Sequence, residues 1–183
     1  MSASLHRLAA ARLADEAPPL PRARLEELHA LLTLDPIAAP SRTLFVASAA
    51  NKARLARGAS PDDRDQILTA PACAIVGYDF AFAVNIVLSA LDGDGAAATS
   101  LAIRTAARAA ALQGETLSRA AAALGLVVTP LAHFDAAALK AGFFAATQAT
   151  VVFACRLDPD PAPGRADLIP LISRRTACPK PSN

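Results

Sequence analysis

The fold of this chain is decided by the stretch Thr69-Ala70-Pro71-Ala72-Cys73-Ala74-Ile75-Val76-Gly77-Tyr78-Asp79. Within it, the run from Ala72 to Gly77 is uncharged and mostly apolar, and a proline precedes it. A short apolar run bounded in this way is typical of a buried strand. We therefore predict a core strand over Ala72–Gly77.

Three other apolar runs predict further strands, over Thr43–Ala47, Leu126–Thr129 and Thr150–Cys155. Between them, helical periodicity and end signals predict helices over about 22–34, 48–58, 60–68, 80–91, 97–124 and 135–140. Gly114 interrupts the longest of these, and a glycine there indicates a close backbone contact. Helices that alternate irregularly with about four strands favour an α+β fold, with helices packed on a sheet.

The length, the proline content and the charge of the chain indicate how its domain is organised and which partners are expected. A chain of 183 residues without an internal linker fits a single domain, over 1–183. Proline-rich ends predict an N-terminal arm over 1–21 and an extended C-terminal arm over 158–183. The net charge of +2 indicates neither a nucleic-acid partner nor an acidic membrane.

Cysteine usage and hydropathy favour a soluble, cytoplasmic protein. Cys73, Cys155 and Cys178 are far apart and form no C-x-x-C motif, so neither a disulfide framework nor a zinc site is expected. The longest uncharged runs, over 80–91 and 141–155, are shorter than the ~18 apolar residues expected of a membrane span. We therefore expect no transmembrane helix.

Spacing alone does not identify a reaction. The three histidines lie far apart, which argues against a metal site, and no G-x-G-x-x-G or P-loop follows a strand. Four arginines are candidates for contact with an anionic group, because the guanidinium suits phosphate geometry: Arg12, Arg42, Arg174 and Arg175. His133 and Asp135 are two residues apart and form a candidate general-base pair.

The collinear order of several segments resembles the nitroreductase family, especially its malonic semialdehyde reductase-like branch. The family's Thr-Ala-Pro-x-x-Ala-Ile-Val-x-Tyr/Trp-Asp block is similar to Thr69–Asp79, and its Gly-Pro-Thr-Ser-Ala-Asn-x-Ser-Pro-Ala-Arg stretch is similar to Asp35–Arg42. Later segments correspond in the same order: Arg108–Gln113, Ala121–Leu126, Pro130–Asp135 and Phe143-Phe144. The resemblance covers roughly residues 10 to 178.

This resemblance implies a fold, a cofactor and an activity. The fold would be nitroreductase-like, a central mostly antiparallel sheet flanked by helices, with extended arms exchanged in a homodimer. FMN would bind at the subunit interface, and NAD(P)H would reduce a small organic substrate by hydride transfer through the flavin. The cofactor-binding residues that the resemblance implies are Arg12, Pro40, Arg42, Pro130, Leu131 and Arg174.

Several positions depart from the family pattern where the family holds its flavin. The Ser-Ala-Asn segment is shortened to Ile37-Ala38-Ala39, and the family's Arg-Asn-Ser-Ser becomes Arg108-Ala109-Ala110-Ala111. Leu171 replaces the arginine of the C-terminal Pro-Arg-Leu. Each lost hydrogen bond would weaken flavin binding by ~0.5–3 kcal/mol.

Three hypotheses therefore remain. The first is a divergent FMN-dependent NAD(P)H oxidoreductase. The second is a flavin-free relative that acts as a binding or scaffold subunit, as a heterodimer with a paralogue, or through a repurposed pocket. The third is an unrelated α+β enzyme that uses His133 with Asp135.

Overall fold

The fold is described by a computed structural model, which covers residues 18–34, 40–91 and 95–161. Within these ranges, helices and strands follow the alternation that the sequence predicts. The helices are α1 (Arg22–Thr33), α2 (Ala49–Arg57), α3 (Pro61–Thr69), α4 (Phe80–Leu91), α5 (Ala96–Ala111), α6 (Gln113–Ala123) and α7 (Ala136–Phe143). The strands are β1 (Ser41–Val46), β2 (Ala72–Tyr78), β3 (Leu126–Pro130) and β4 (Thr150–Pro159).

The four strands form one sheet in the order β1-β2-β4-β3, and every neighbouring pair is antiparallel. The predicted α+β class and antiparallel sheet are confirmed. Strand β2 lies inside the sheet, and all seven of its residues are buried. Strand β4 continues to Pro159 instead of ending at Cys155, because β3 pairs with its second half, from Pro130 opposite Cys155 to Leu126 opposite Pro159.

Helices cover both faces of the sheet, and β2 contributes alternate side chains to each. Cys73 and Ile75 pack with residues of α2, α3 and α7 on one face. Ala72, Ala74 and Val76 pack with residues of α1 and α6 on the other. Complete burial of a leucine side chain contributes about 1.5–3 kcal/mol, and Leu28, Leu55, Leu117 and Leu139 are at most 1% exposed.

The predicted single helix over 97–124 is wrong, because α5 ends at Ala111 and α6 begins at Gln113. Leu112 lies between them with φ −81° and ψ −8°. The buried side chain of Gln113 donates from Nε2 to the carbonyl oxygen of Ala109 at 3.0 Å. A side chain, and not only a backbone N–H group, therefore binds this carbonyl group where the two helices meet. Gly125, with φ +64°, follows α6 as predicted.

The glycine at position 114 allows a close approach between α6 and β4. A Cβ atom there would lie 2.8 Å from Cδ2 and Cε2 of Phe153. The close contact at this glycine is therefore with a side chain, the ring of Phe153, and not with another backbone segment as the sequence predicts. Among the helices in the described part of the chain, none has the length and hydropathy needed to cross a membrane.

Candidate flavin site

Strand β1 lies at one edge of the sheet and carries the first group of predicted site residues. Arg42 is exposed on this strand and lines a cleft of about 540 Å³. Residues of α1, of β1, of the end of α7 and of the segment after it form the walls of this cleft: His29, Leu32, Thr33, Ser41, Thr43, Leu44, Phe143, Phe144 and Thr147. The cleft therefore combines a cationic group and polar groups with two aromatic rings.

Pro40 is buried at the start of β1, and its carbonyl group ties this strand to the end of β2. The N–H of Asp79 donates to the carbonyl oxygen of Pro40 at 2.9 Å. The Oδ1 atom of Asp79 accepts from the N–H of Phe82 at 3.0 Å, which caps the first turn of α4. Asp79, at the end of β2, therefore fixes where β1 begins and so where Arg42 lies.

Pro130 and Leu131 lie at the opposite edge of the sheet. Pro130 ends β3 and is exposed. The side chain of Leu131 is 5% exposed and belongs to the core, and its N–H donates to the carbonyl oxygen of Ala154 at 2.9 Å. Consequently Pro130, Ala132 and His133 are exposed where β3 ends and in the two residues after Leu131.

The two groups do not meet within one subunit. Three strand-to-strand steps separate β1 from β3, which is about 14 Å at the usual spacing of neighbouring strands. Along the strands the groups are also offset, because Arg42 lies opposite Gly77 and Pro130 lies in the row of Cys155 and Ala74. A single chain therefore presents two separate patches.

Other predicted positions divide between the core and the part of the chain outside the described residues. The described residues do not include most of both arms, nor these predicted positions: Arg12, Ile37-Ala38-Ala39, Leu171 and Arg174. Ala110, within the triplet that departs from the family pattern, is 6% exposed and packs with Tyr78, Ala83 and Ala106. This alanine now serves helix packing between α4 and α5.

His133 and Asp135 do not form a general-base pair in this structure. The Oδ1 atom of Asp135 accepts from the N–H groups of Ala137 and Ala138 at 2.9 and 3.0 Å, and so caps α7. The side chain of His133 is exposed. The carboxylate that would orient the imidazole is thus engaged by the helix, which removes support for the third hypothesis.

The sequence analysis missed Asp63, although its spacing from Ser60 is that of a capping box. Its Oδ2 atom accepts from the hydroxyl of Ser60 at 2.7 Å and from the N–H of His133 at 3.2 Å. Burial acts to raise the pKa of this carboxyl, but the hydrogen bonds from Ser60, His133 and Ala132 hold it below its ordinary value. A charged carboxylate therefore contacts the loop that follows Pro130.

The described residues contain no group of three or more metal-ligating side chains. Cys73 and Cys155 are buried, and burial raises the pKa of each thiol to about 12. Both are therefore unreactive core residues, while Cys178 lies outside the described ranges.

Comparison with known proteins identifies the family. Over 150 residues the chain is 37% identical to a protein of Ralstonia pickettii named NADH dehydrogenase/NAD(P)H nitroreductase HadB, a match that covers 75% of this chain and 76% of that protein. The chain belongs to the nitroreductase family. A Cupriavidus pinatubonensis nitroreductase-family protein is 32% identical over 175 residues, or 87% of each chain. No family model matches the chain.

Solved nitroreductases show the same fold. A nitroreductase of Exiguobacterium sibiricum in complex with FMN superposes with a TM-score of 0.59 at 17% identity, over 80% of this chain and 81% of that one. The Bacillus subtilis nitroreductase ydfN superposes with a TM-score of 0.57 at 20% identity, over 79% and 81%. The nitroreductase fold of this chain is thus established by both comparisons.

Proposed function

We propose that this protein is an FMN-dependent NAD(P)H oxidoreductase that reduces a small organic substrate. The proposal rests chiefly on membership of a family whose relatives are named NAD(P)H nitroreductases. Arg42, at the position of the family's Pro-Ala-Arg, lines an open cleft, and this gives the proposal a local basis. The resemblance to the malonic semialdehyde reductase-like branch favours a small substrate.

The described residues offer groups that suit FMN. The guanidinium of Arg42 suits an anionic or carbonyl acceptor, and the exposed Pro130 gives a rigid apolar surface at the end of β3. FMN, when bound, would supply the hydride chemistry. The residues of this chain would bind and orient it, and the apolar side chains Phe143 and Phe144 beside Arg42 would limit the access of water to that cleft.

We also propose that two copies of the chain build each site together. Arg42 and Pro130 lie on opposite edges of the sheet of one chain. In the proposed dimer, the Arg42 edge of one protomer would lie close to the Pro130 edge of its partner. The expected exchange of extended arms, predicted over 1–21 and 158–183, belongs to the same proposal. Asp158 and Pro159 are not part of the exchanged arm, because they pair with β3 of their own chain.

The surface of α4 and α5 supports such a dimer. Phe82 and Ile86 on α4 are 47% and 44% exposed, and Leu101 and Ile103 on α5 are 43% and 53% exposed. Large exposed apolar side chains on adjoining helices indicate an interaction surface. Leu101 and Ile103 are two residues apart and lie on opposite flanks of α5, on either side of the buried Ala102. We call the exposed apolar surface of both helices, with the two flanks of α5, the α4–α5 face, and a second copy of the chain is the occupant that we propose for it.

Absorption spectroscopy tests the proposed activity directly. The purified protein, or the protein reconstituted with FMN, should show bound-flavin absorption and should oxidise NADH or NADPH when an acceptor is present. The donor that is oxidised faster, NADH or NADPH, is the one that the protein prefers. A colourless protein that binds no added FMN would overturn the proposal.

A flavin-free function is the second candidate, and one observation favours it. Ala110 is buried against Tyr78 and Ala83 where the family has a polar Asn-Ser-Ser segment. Small apolar residues that pack tightly leave fewer hydrogen-bond donors for a flavin. If the protein binds no FMN but co-purifies as a stable complex with an intact paralogue, this scaffold function is supported and the first proposal fails.

A further inference from the structure

The loop between β3 and α7 is held along its length by the connection between α2 and α3. The N–H of Ser60 donates to the carbonyl oxygen of His133 at 3.0 Å, and the N–H of Asp135 donates to that of Gly58 at 2.7 Å. Ala59 and Phe134 lie opposite each other as an isolated antiparallel bridge. The two connections therefore pair like a short piece of sheet.

Asp63 completes this pairing with a side chain. The N–H of His133 donates to its Oδ2 atom at 3.2 Å, in the place where a continued strand would offer a carbonyl oxygen. The same oxygen accepts from the hydroxyl of Ser60 at 2.7 Å, and that hydroxyl in turn accepts from the N–H of Asp63 at 3.3 Å. Asp63 is 5% exposed, so this contact is shielded from water.

Asp63 thereby acts on the segment that follows Pro130. Leu131 anchors the first residue of the loop in the core, and its N–H is fixed by Ala154. Asp63 and Ser60 fix both polar backbone groups of His133. The backbone between these anchors, at Ala132, has little freedom left, and it lies in the loop that the family resemblance places against the flavin.

We propose that Asp63 is a positioning residue for the cofactor: its carboxylate sets the conformation of the loop 131–133 and, through it, the environment of the bound flavin. The inference rests on the proposed function, because it assumes that FMN binds beside Pro130. It goes beyond that function by assigning a role to a residue of α3 that does not belong to the predicted site. Its chemistry is that of a fixed anionic hydrogen-bond acceptor.

Three variants of the full-length protein test this role. Asp63→Ala removes the acceptor, Asp63→Asn keeps an amide oxygen in its place, and Asp62→Ala removes the neighbouring exposed acid from the same first turn of α3. For each variant, amide hydrogen exchange at Ala132 and His133 reports the order of the loop. The dissociation constant and midpoint potential of added FMN report the site, and thermal unfolding reports the fold.

Asp63→Ala should accelerate exchange at His133. It should also raise the FMN dissociation constant by about tenfold or more, because FMN binding would then have to order a loop that has lost its hydrogen bond to a charged group. Its midpoint potential should also shift. Asp63→Asn should restore most of the affinity, and Asp62→Ala should leave exchange, affinity and potential unchanged. If Asp63→Ala fails to fold, Ser60→Ala, which removes one of the two donors to Oδ2, should give the same changes at smaller size.

Two results would overturn the inference, and they are separate from failure of the proposed function. Unchanged exchange at His133 in Asp63→Ala would show that the carboxylate does not order the loop. Faster exchange with unchanged FMN affinity and potential would show that the loop does not position the flavin. A wild-type protein that binds no FMN would instead overturn the proposed function, and with it the flavin role of Asp63, whatever the exchange data show.

Discussion

Gly114 on α6 lies against the ring of Phe153 on β4, so closely that a Cβ atom at position 114 would come within 2.8 Å of two ring carbons. Contacts of that length do not occur between real carbon atoms, so any larger residue must displace the ring or the helix. Phe153 in turn belongs to the face of the sheet that α1 and α6 cover. This one pair therefore sets how near α6 comes to the sheet.

Gly114→Ala should destabilise the protein. Overpacking of a filled contact costs about 1–3 kcal/mol, and the better helix propensity of alanine returns at most about 1 kcal/mol. We expect a net loss of about 0–3 kcal/mol in the free energy of urea unfolding. The matched control is Gly142→Ala in α7, where the nearest atom to a Cβ is Nε of Arg54 at 3.5 Å, an ordinary contact. This control should be neutral or stabilising, and a stabilised Gly114→Ala would contradict the assigned contact.

Arg42→Ala should weaken FMN binding more than it changes stability. Arg42 is exposed in the cleft along β1, so its removal leaves the core intact. Loss of one charge-assisted hydrogen bond predicts a rise of about tenfold to a hundredfold in the FMN dissociation constant. Arg64→Ala removes the same charge from an exposed position of α3, away from the cleft, and should leave binding unchanged. Equal effects of the two variants would show that Arg42 acts only through net charge.

Charge on the α4–α5 face should dissociate the proposed dimer. Ile103 is 53% exposed in the single chain, so Ile103→Glu should fold normally but place a carboxylate in the interface. Analytical ultracentrifugation should show a dimer for the wild type and a monomer for this variant. Leu68→Glu, at a 41% exposed position on α3, should remain dimeric. A dimer that survives Ile103→Glu would show that this face is not the interface.

The sequence predicted most of the elements because their signals are local. Ser60 and Asp135 are of residue types that commonly precede helices, and hydrogen bonds to their side chains cap α3 and α7. The end of β4 at Pro159 was missed, because only pairing with β3 keeps that segment extended. Such pairing joins residues far apart in the chain, which single-sequence periodicity does not reveal.

The site was less predictable for the same reason. The family resemblance named Arg42 and Pro130, but only the strand order places them on opposite edges of the sheet. In the sequence alone, Asp63 is not distinguished from any other first-turn acid that offsets the helix dipole. Its contact with the N–H of His133 depends on a loop seventy residues away. Tertiary contacts, rather than local patterns, therefore determine which of these groups act together.

The free energy of unfolding should fall in acid partly because of Asp63. The folded-state pKa of this carboxyl lies below its ordinary value of 3.8, so the ionised form favours the folded state. Its contribution is complete above the unfolded-state pKa and is lost as the pH falls through the folded-state pKa. In Asp63→Asn that ionisation is absent. The difference in unfolding free energy between wild type and Asp63→Asn should therefore be constant near neutral pH and should shrink in acid.

Urea unfolding at a series of pH values below neutrality measures this difference. Asp62→Asn is the matched control, because it removes one charge from the same helical turn without a contact to the loop at His133. Its difference from wild type should vary less with pH than that of Asp63→Asn. If the two variants show the same dependence, the hydrogen bonds to Oδ2 of Asp63 do not favour its ionised form, and the stabilising role of this carboxylate is wrong.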